Sequence, residues 1–132
     1  MQRKNKNMEN DGKKIILIVD NSFLSVKLES DLLERSGFGV LKASCGKEAL
    51  DVLSGRTPDL ILLDINLPDT TGYELFSKIK QDERFKNVKI IAVTGSVMKE
   101  DEGKIKNMGF DGFIAKPIDI KDFVQQIKDI AA

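Results

Sequence analysis

Three short, nearly unbroken apolar runs constrain this chain more than any other feature: Lys14 to Val19, Leu60 to Leu63 and Val88 to Val93. Runs of this length, partly β-branched and in the second case bounded by Pro58 and Pro68, read as strands buried on both faces. Strands buried on both faces belong to a parallel sheet covered by helices on each side. Each run also delivers polar chemistry to its carboxyl end: Asp20-Asn21, Asp64, and Thr94-Gly95-Ser96. In open α/β sheets the crevice outside those strand ends is where ligands bind. A lone strand-end aspartate is more often a turn cap than a reactive group, so the significance of Asp64 rests on its company.

The segments between the runs supply the rest of the pattern. Ser22 to Ser36 carries Leu24, Leu28 and Leu32 at helical spacing, with Gly37 as the stop. Phe38 to Ala43 is a weaker, partly polar strand, and Gly46 to Ser54 is a short helix closed by Gly55. Thr71-Gly72-Tyr73-Glu74 has the spacing of a capping box, which predicts reciprocal bonds from the Thr71 hydroxyl and the Glu74 carboxylate at the start of a helix running to about Asp82. Met98 to Met108 is a polar, exposed helix closed by Gly109. Gly112 to Ala115 is a fifth strand followed by Lys116-Pro117, and a last helix from Asp119 shows Ile120, Phe123, Val124, Ile127 and Ile130 on one face.

Five strands alternating with five helices predict an α/β, doubly wound, five-stranded parallel sheet with right-handed crossovers. The first, third and fourth runs are the most apolar and belong at the centre, which gives the strand order 2-1-3-4-5. Residues 1–12 are polar apart from two methionines and read as a disordered tail, leaving 13–132 as the folded domain. No internal repeat interrupts the pattern.

Composition then removes whole classes of function. With 21 Lys and Arg against 21 Asp and Glu, the chain has no net charge with which to attract nucleic acid or an anionic membrane surface. It has no histidine, which excludes His-based catalysis and His-type metal sites, and its single cysteine, Cys45, can form no intramolecular disulfide. No apolar run approaches the ~20 residues that cross a bilayer, and no signal-peptide segment opens the chain. The expectation is a soluble, cytoplasmic protein that binds neither nucleic acid nor membrane.

The predicted order brings Asp20, Asn21, Asp64, Thr94 and Lys116 to one edge of the sheet. Here the chain resembles the receiver domains of two-component response regulators, CheY-like in fold, from about Lys14 to the last residue. The resemblance is carried by Ile18-Val19-Asp20-Asn21, by Asp59 through Pro68 with Gly72, by Ala92-Val93-Thr94 and by Ala115-Lys116-Pro117. The order 2-1-3-4-5 is also the family's own, so it is not an independent result.

The resemblance implies a regulator that accepts a phosphoryl group on Asp64 from a histidine kinase or histidine phosphotransfer protein, with self-catalysed transfer and dephosphorylation rather than conventional turnover. It implies Mg²⁺ or Mn²⁺ held by Asp20, Asn21, Asp64 and the backbone carbonyl of Asn66. Lys116 would offset phosphoryl charge, and a cis Lys116-Pro117 bond would aim it inward. Thr94 would bond the new phosphate, and Phe113 would turn in behind it as the aromatic switch. Output would pass to another protein through the fourth helix, fifth strand and fifth helix, a face carrying Lys99, Lys104, Lys121 and Lys128 with exposed Met98 and Met108. The kinase would dock on the first helix and the loops around Asp64.

One residue departs from the family pattern. Most receivers have two acids where this chain has Asp20 and Asn21; the amide can still coordinate, or it can cap the helix that begins at Ser22. A pseudo-receiver that binds proteins without being phosphorylated is therefore a second reading. A haloacid dehalogenase-like phosphatase is a third, but it requires an acid two residues beyond its nucleophile, where this chain has Asn66. A flavodoxin-like flavin site would need a phosphate-binding loop after the first strand, which Asp20-Asn21-Ser22 does not provide.

Overall fold

The structure, a computed structural model, describes residues 12–95 and 99–132. The elements are β1 (Ile15–Val19), α1 (Phe23–Arg35), β2 (Gly39–Ala43), α2 (Gly46–Gly55), β3 (Leu60–Asp64), α3 (Gly72–Lys80), a 3-10 turn (Glu83–Phe85), β4 (Lys89–Thr94), α4 (Lys99–Met108), β5 (Gly112–Ala115) and α5 (Ile120–Ala131). The tail expected over 1–12 falls outside the described residues except for Gly12, as do Ser96 and Met98.

All four strand pairings are parallel and the order is β2-β1-β3-β4-β5. This is the order expected from the apolar runs: every residue of β3 is buried, whereas edge strand β2 buries only Ala43. Side-chain alternation divides the core into two layers. Leu17, Val19, Ile61 and Leu63 face α2, α3 and α4, with Leu53, Phe76 and Ile105 opposite them. Ile16, Ile18, Leu60 and Leu62 face α1 and α5, against Leu33, Phe123 and Ile127.

Several local expectations are corrected. On α1 the leucines at 24 and 28 are exposed, Leu24 at 76% and Leu28 at 39%, and the buried residues are Glu29, Ser30 and Leu33. Helical spacing alone could not choose between two faces when both carry leucine. On α5 Phe123, Ile127 and Ala131 are buried, Val124 and Ile130 are partly so, and Ile120 is exposed because it lies at the first turn, beyond the sheet. The capping box at α3 is half formed: the Glu74 N–H donates to Thr71 Oγ1 at 3.1 Å, but the Glu74 carboxylate accepts from the Thr70 hydroxyl at 3.0 Å. That helix ends at Lys80, and Asp82 caps the 3-10 turn instead.

One glycine is required by the backbone turn after α1, where Gly37 has φ +94° and gives the chain its reversal into β2.

Candidate functional site

The carboxyl ends of β1, β3 and β5 converge on one face of the sheet. Ile18, Leu62 and Ile114 belong to the core layer under α1 and α5. Two residues further on, Asp64 ends β3 and Asp20 and Lys116 each lie one residue past β1 and β5, and all three meet on the same side. Lys116 Nζ lies 2.7 Å from Asp20 Oδ2 and 3.2 Å from Asp64 Oδ2. The first approach is an ion pair by distance, and Asp20 Oδ2 has no hydrogen-bond partner besides it. The Lys116-Pro117 bond is cis, as expected.

Backbone amides hold both acids in place. The Ser22 N–H donates to Asp20 Oδ1 at 2.8 Å, and the Asn66 N–H donates to Asp64 Oδ1 at 3.0 Å. The loop beyond Asp64 is closed by the Gly72 N–H, which donates to the Ile65 carbonyl at 2.7 Å, and by a bridge between Asn66 and Thr71. Only glycine fits at this crossing: a Cβ at position 72 would stand 2.7 Å from the Asp64 carbonyl oxygen and 2.8 Å from Ile65 Cα.

Burial sets the electrostatics. Asp20 is 3% exposed and Asp64 8%. Burial pushes the Asp64 carboxyl above its ordinary range, with the Asn66 amide and the Lys116 charge opposing it and the Asp20 charge reinforcing it. For Lys116, burial disfavours the ammonium, but the Asp20 and Asp64 carboxylates outweigh it and hold its pKa above the usual lysine value. Lys116 is therefore a fixed positive charge shared between two acids.

Asn21 is exposed and lines a recess with Asp20, Phe23, Lys42 and Glu48. It does not cap α1; Ser22 does, its Oγ accepting from the Ser25 N–H at 3.3 Å. Thr94 is buried at the end of β4, next in register to Ala115, but it opens on the other side of the sheet, into a pocket with Ile65, Asn66, Tyr73 and Asp101. Strand alternation explains the separation, since Val93 takes the Asp64 face. Phe113 is half-buried and packs against the α2, α3 and α4 layer beside a pocket bounded by Ile105, Lys106 and Phe110.

A residue missed by the sequence reading lies under this cleft. Glu29, on α1, is 1% exposed and its Oε2 has no hydrogen-bond partner. Burial, then the charge of Asp20, pushes its pKa up to about 7, with Lys116 acting against the shift and Asp64 adding to it. Spacing alone does not single it out: Glu29 falls on the stripe of Val26 and Leu33, but Leu24, Leu28 and Leu32 mark a second stripe on the same helix, and only the sheet decides which is covered.

Fold and site together define a class, the doubly wound (βα)₅ domains that gather two acids and a lysine at the carboxyl edge of a parallel sheet. Residues 16–128 match the family of response regulator receiver domains, and the chain belongs to that family. It is 41% identical over 115 residues to the polar-differentiation response regulator DivK of Brucella ovis, covering 87% of this chain and 94% of that protein. Among solved structures, the CheY-like receiver domain protein of Methanospirillum hungatei superposes with a TM-score of 0.82 at 33% identity, covering 90% of this chain and 94% of that one. The Mn²⁺-bound form of response regulator Rcp1 superposes with a TM-score of 0.74 at 26% identity, covering 89% and 91%.

Proposed function

We propose that this receiver domain accepts a phosphoryl group on Asp64 and thereby changes its affinity for another protein. The observation that carries the reading is the placement of Lys116 Nζ within 3.2 Å of Asp64 Oδ2 while it is also paired to Asp20. A carboxylate oxygen of Asp64 attacks the phosphorus of a phosphohistidine, the P–N bond breaks, and its electron pair returns to the imidazole, which takes up a proton. Phosphoryl transfer of this kind depends on positioning and charge neutralisation more than on covalent help from the protein. The Asn66 N–H orients the nucleophile, and Lys116 can exchange one of its carboxylate partners for a phosphoryl oxygen. The Asn66 amide and the Lys116 charge favour the ionised, nucleophilic form of Asp64 against burial, which disfavours it.

The residues present suit a hard divalent cation. Asp20 Oδ2 is buried with acceptor capacity unfilled, Asp64 stands beside it, and the Asn66 carbonyl and the Asn21 amide are oxygen donors on adjoining loops. Mg²⁺ is bound through one or two carboxylates and keeps several waters, so these few oxygen donors meet its needs. Mg²⁺ or Mn²⁺ bound there would neutralise phosphoryl charge. Thr94 is proposed to bond the phosphate after its loop moves inward, with Phe113 following into the space left behind.

The donor is a histidine kinase or a histidine phosphotransfer protein, docking on α1 and the Asp64 loops, where Phe23 and Leu24 are exposed. The output face is α4, β5 and α5, where Lys104, Lys121 and Lys128 are exposed. Met108 contributes less than expected because it is half-buried against the core. The Lys99 side chain, like Met98, falls outside what the structure describes. No helix among the described residues is long and apolar enough to cross a membrane, and a cytoplasmic site of action is part of the proposal.

Asn21 favours a second reading, a protein-binding module that is never phosphorylated. Acetyl phosphate with Mg²⁺, followed by intact-mass measurement, separates the two. The wild type should gain one phosphoryl group and Asp64→Asn none. A phosphorylated Asp64→Asn would place the acceptor elsewhere, and an unmodified wild type would favour the binding module.

A further inference from the structure

Glu29 is the buried acid that the proposed phosphoryl chemistry leaves unused. It is buried in the middle of α1, one turn before Leu33, which packs into the layer of Ile18, Leu62 and Ile114, and the charges of Asp20, Lys116 and Asp64 all act on it. Among the described residues only two buried side-chain oxygens lack a hydrogen-bond partner, Asp20 Oδ2 and Glu29 Oε2. Both belong to this one region of the molecule. A carboxyl group buried without partners is costly, and a helix facing an apolar layer would be more stable with an aliphatic residue there. A positive charge close to it would offset that cost.

The charge balance of the cleft identifies that charge. Asp20 and Asp64 bring two negative charges and Lys116 returns one positive charge, so a divalent cation would meet a site one charge short of neutral. Asn21 is the reason, because it places an amide where a second strand-end acid would close the balance. We propose that Glu29 is a third acid of this cleft, supplying from α1 the negative charge missing at Asn21 and so strengthening the binding of a divalent cation by Asp20 and Asp64. The inference rests on the proposed function, in which the cleft holds such a cation. Glu29 acts on that ion through space as a positioning residue. Burial, Asp20 and Asp64 push its pKa up to about 7 against the opposing charge of Lys116, which places it within the field of the same three groups.

The test measures Mn²⁺ binding directly, by the loss of the free-ion magnetic resonance signal, in the full chain without any phosphodonor. Glu29→Gln keeps the shape and removes the charge, and its Mn²⁺ dissociation constant should rise roughly tenfold at neutral pH. Glu29→Leu should weaken binding to a similar degree while leaving the cation-free protein at least as heat-stable as the wild type. That second variant keeps the question open to refutation if the amide folds poorly. Asn21→Asp, added to Glu29→Gln, should restore the wild-type constant, a rescue that a merely structural role for Glu29 would not produce. Dissociation constants for both Glu29 variants within twofold of wild type would overturn the inference and leave the proposed function standing. Failure of Asn21→Asp to rescue would overturn the link between the two positions. Absence of any Mn²⁺ binding by the wild type would overturn the inference and the cation site together.

Discussion

Glu29 ties the stability of the molecule to pH. Its folded pKa of about 7 lies above its ordinary value of 4.5, first through burial and then through the charge of Asp20. An acid raised in this way keeps its proton in the folded state at pH values where the unfolded chain has released it. The stability contributed by the neutral form is therefore complete below 4.5 and is lost as pH rises through about 7, a loss of about 3 kcal/mol. Asp64, raised chiefly by burial, acts in the same direction. Asp69, lowered by the Gly46 and Lys47 amides, has the opposite sign: its contribution is present above its unfolded pKa and is lost in acid. With divalent ions chelated, the wild type should lose more urea resistance between about pH 5 and about pH 8 than Glu29→Gln does. Parallel curves for the two proteins would show that Glu29 does not titrate across this window. Asp64 could be picked out of the sequence because it ends a strand, but Glu29 could not, because its significance depends on which face of α1 is buried.

At the scale of elements, the junction of β3 and α3 fixes the geometry of the cleft. The α3 amino terminus lies so close to Asp64 that the backbone of residue 72 fills the space a Cβ would need. Gly72→Ala should therefore push the loop off the strand end, costing about 1–3 kcal/mol of stability and slowing phosphorylation of Asp64. Urea midpoints and acetyl phosphate kinetics check this together; an unchanged midpoint would mean that the loop absorbs the methyl group elsewhere. Gly72 was visible in the sequence as part of the receiver pattern. Its physical reason was not, since the atoms it must avoid belong to the preceding strand. The leucine spacing on α1 did not mark its covered face, and Ile120 of the α5 stripe is exposed, for a related cause: spacing defines a stripe, and only the neighbouring sheet decides how much of it is covered.

Across the whole molecule, the two sides of the sheet have separate roles. Asp20, Asp64, Lys116 and Glu29 occupy the α1 and α5 side, whereas Thr94 opens toward Tyr73 and Asp101 on the other. Tyr73 in turn carries Lys104 of α4 over its ring at 3.9 Å, so α3 and α4 are linked beside the Thr94 pocket. A phosphate on Asp64 that draws Thr94 toward it must act through this junction. With beryllofluoride as a phosphate mimic, amide shift changes should extend beyond the Asp64 loops to Ile105, Phe110 and Phe113. Changes confined to residues touching Asp64 would mean that Thr94 and Phe113 are not coupled in this chain.

The sequence by itself determined the number and alternation of elements, the central position of the three apolar strands, and the set of polar residues delivered to one sheet edge. These follow from local patterns, because a strand buried on both faces must be apolar throughout and must end where polar residues begin. Tertiary structure alone decided which stripe of α1 is covered, the sharing of Lys116 between Asp20 and Asp64, the opening of Thr94 on the opposite side from them, and the burial of Glu29. Each of those depends on distances between segments far apart in the chain, where the pleat of the sheet and the packing of a helix against it choose between faces that look alike in sequence.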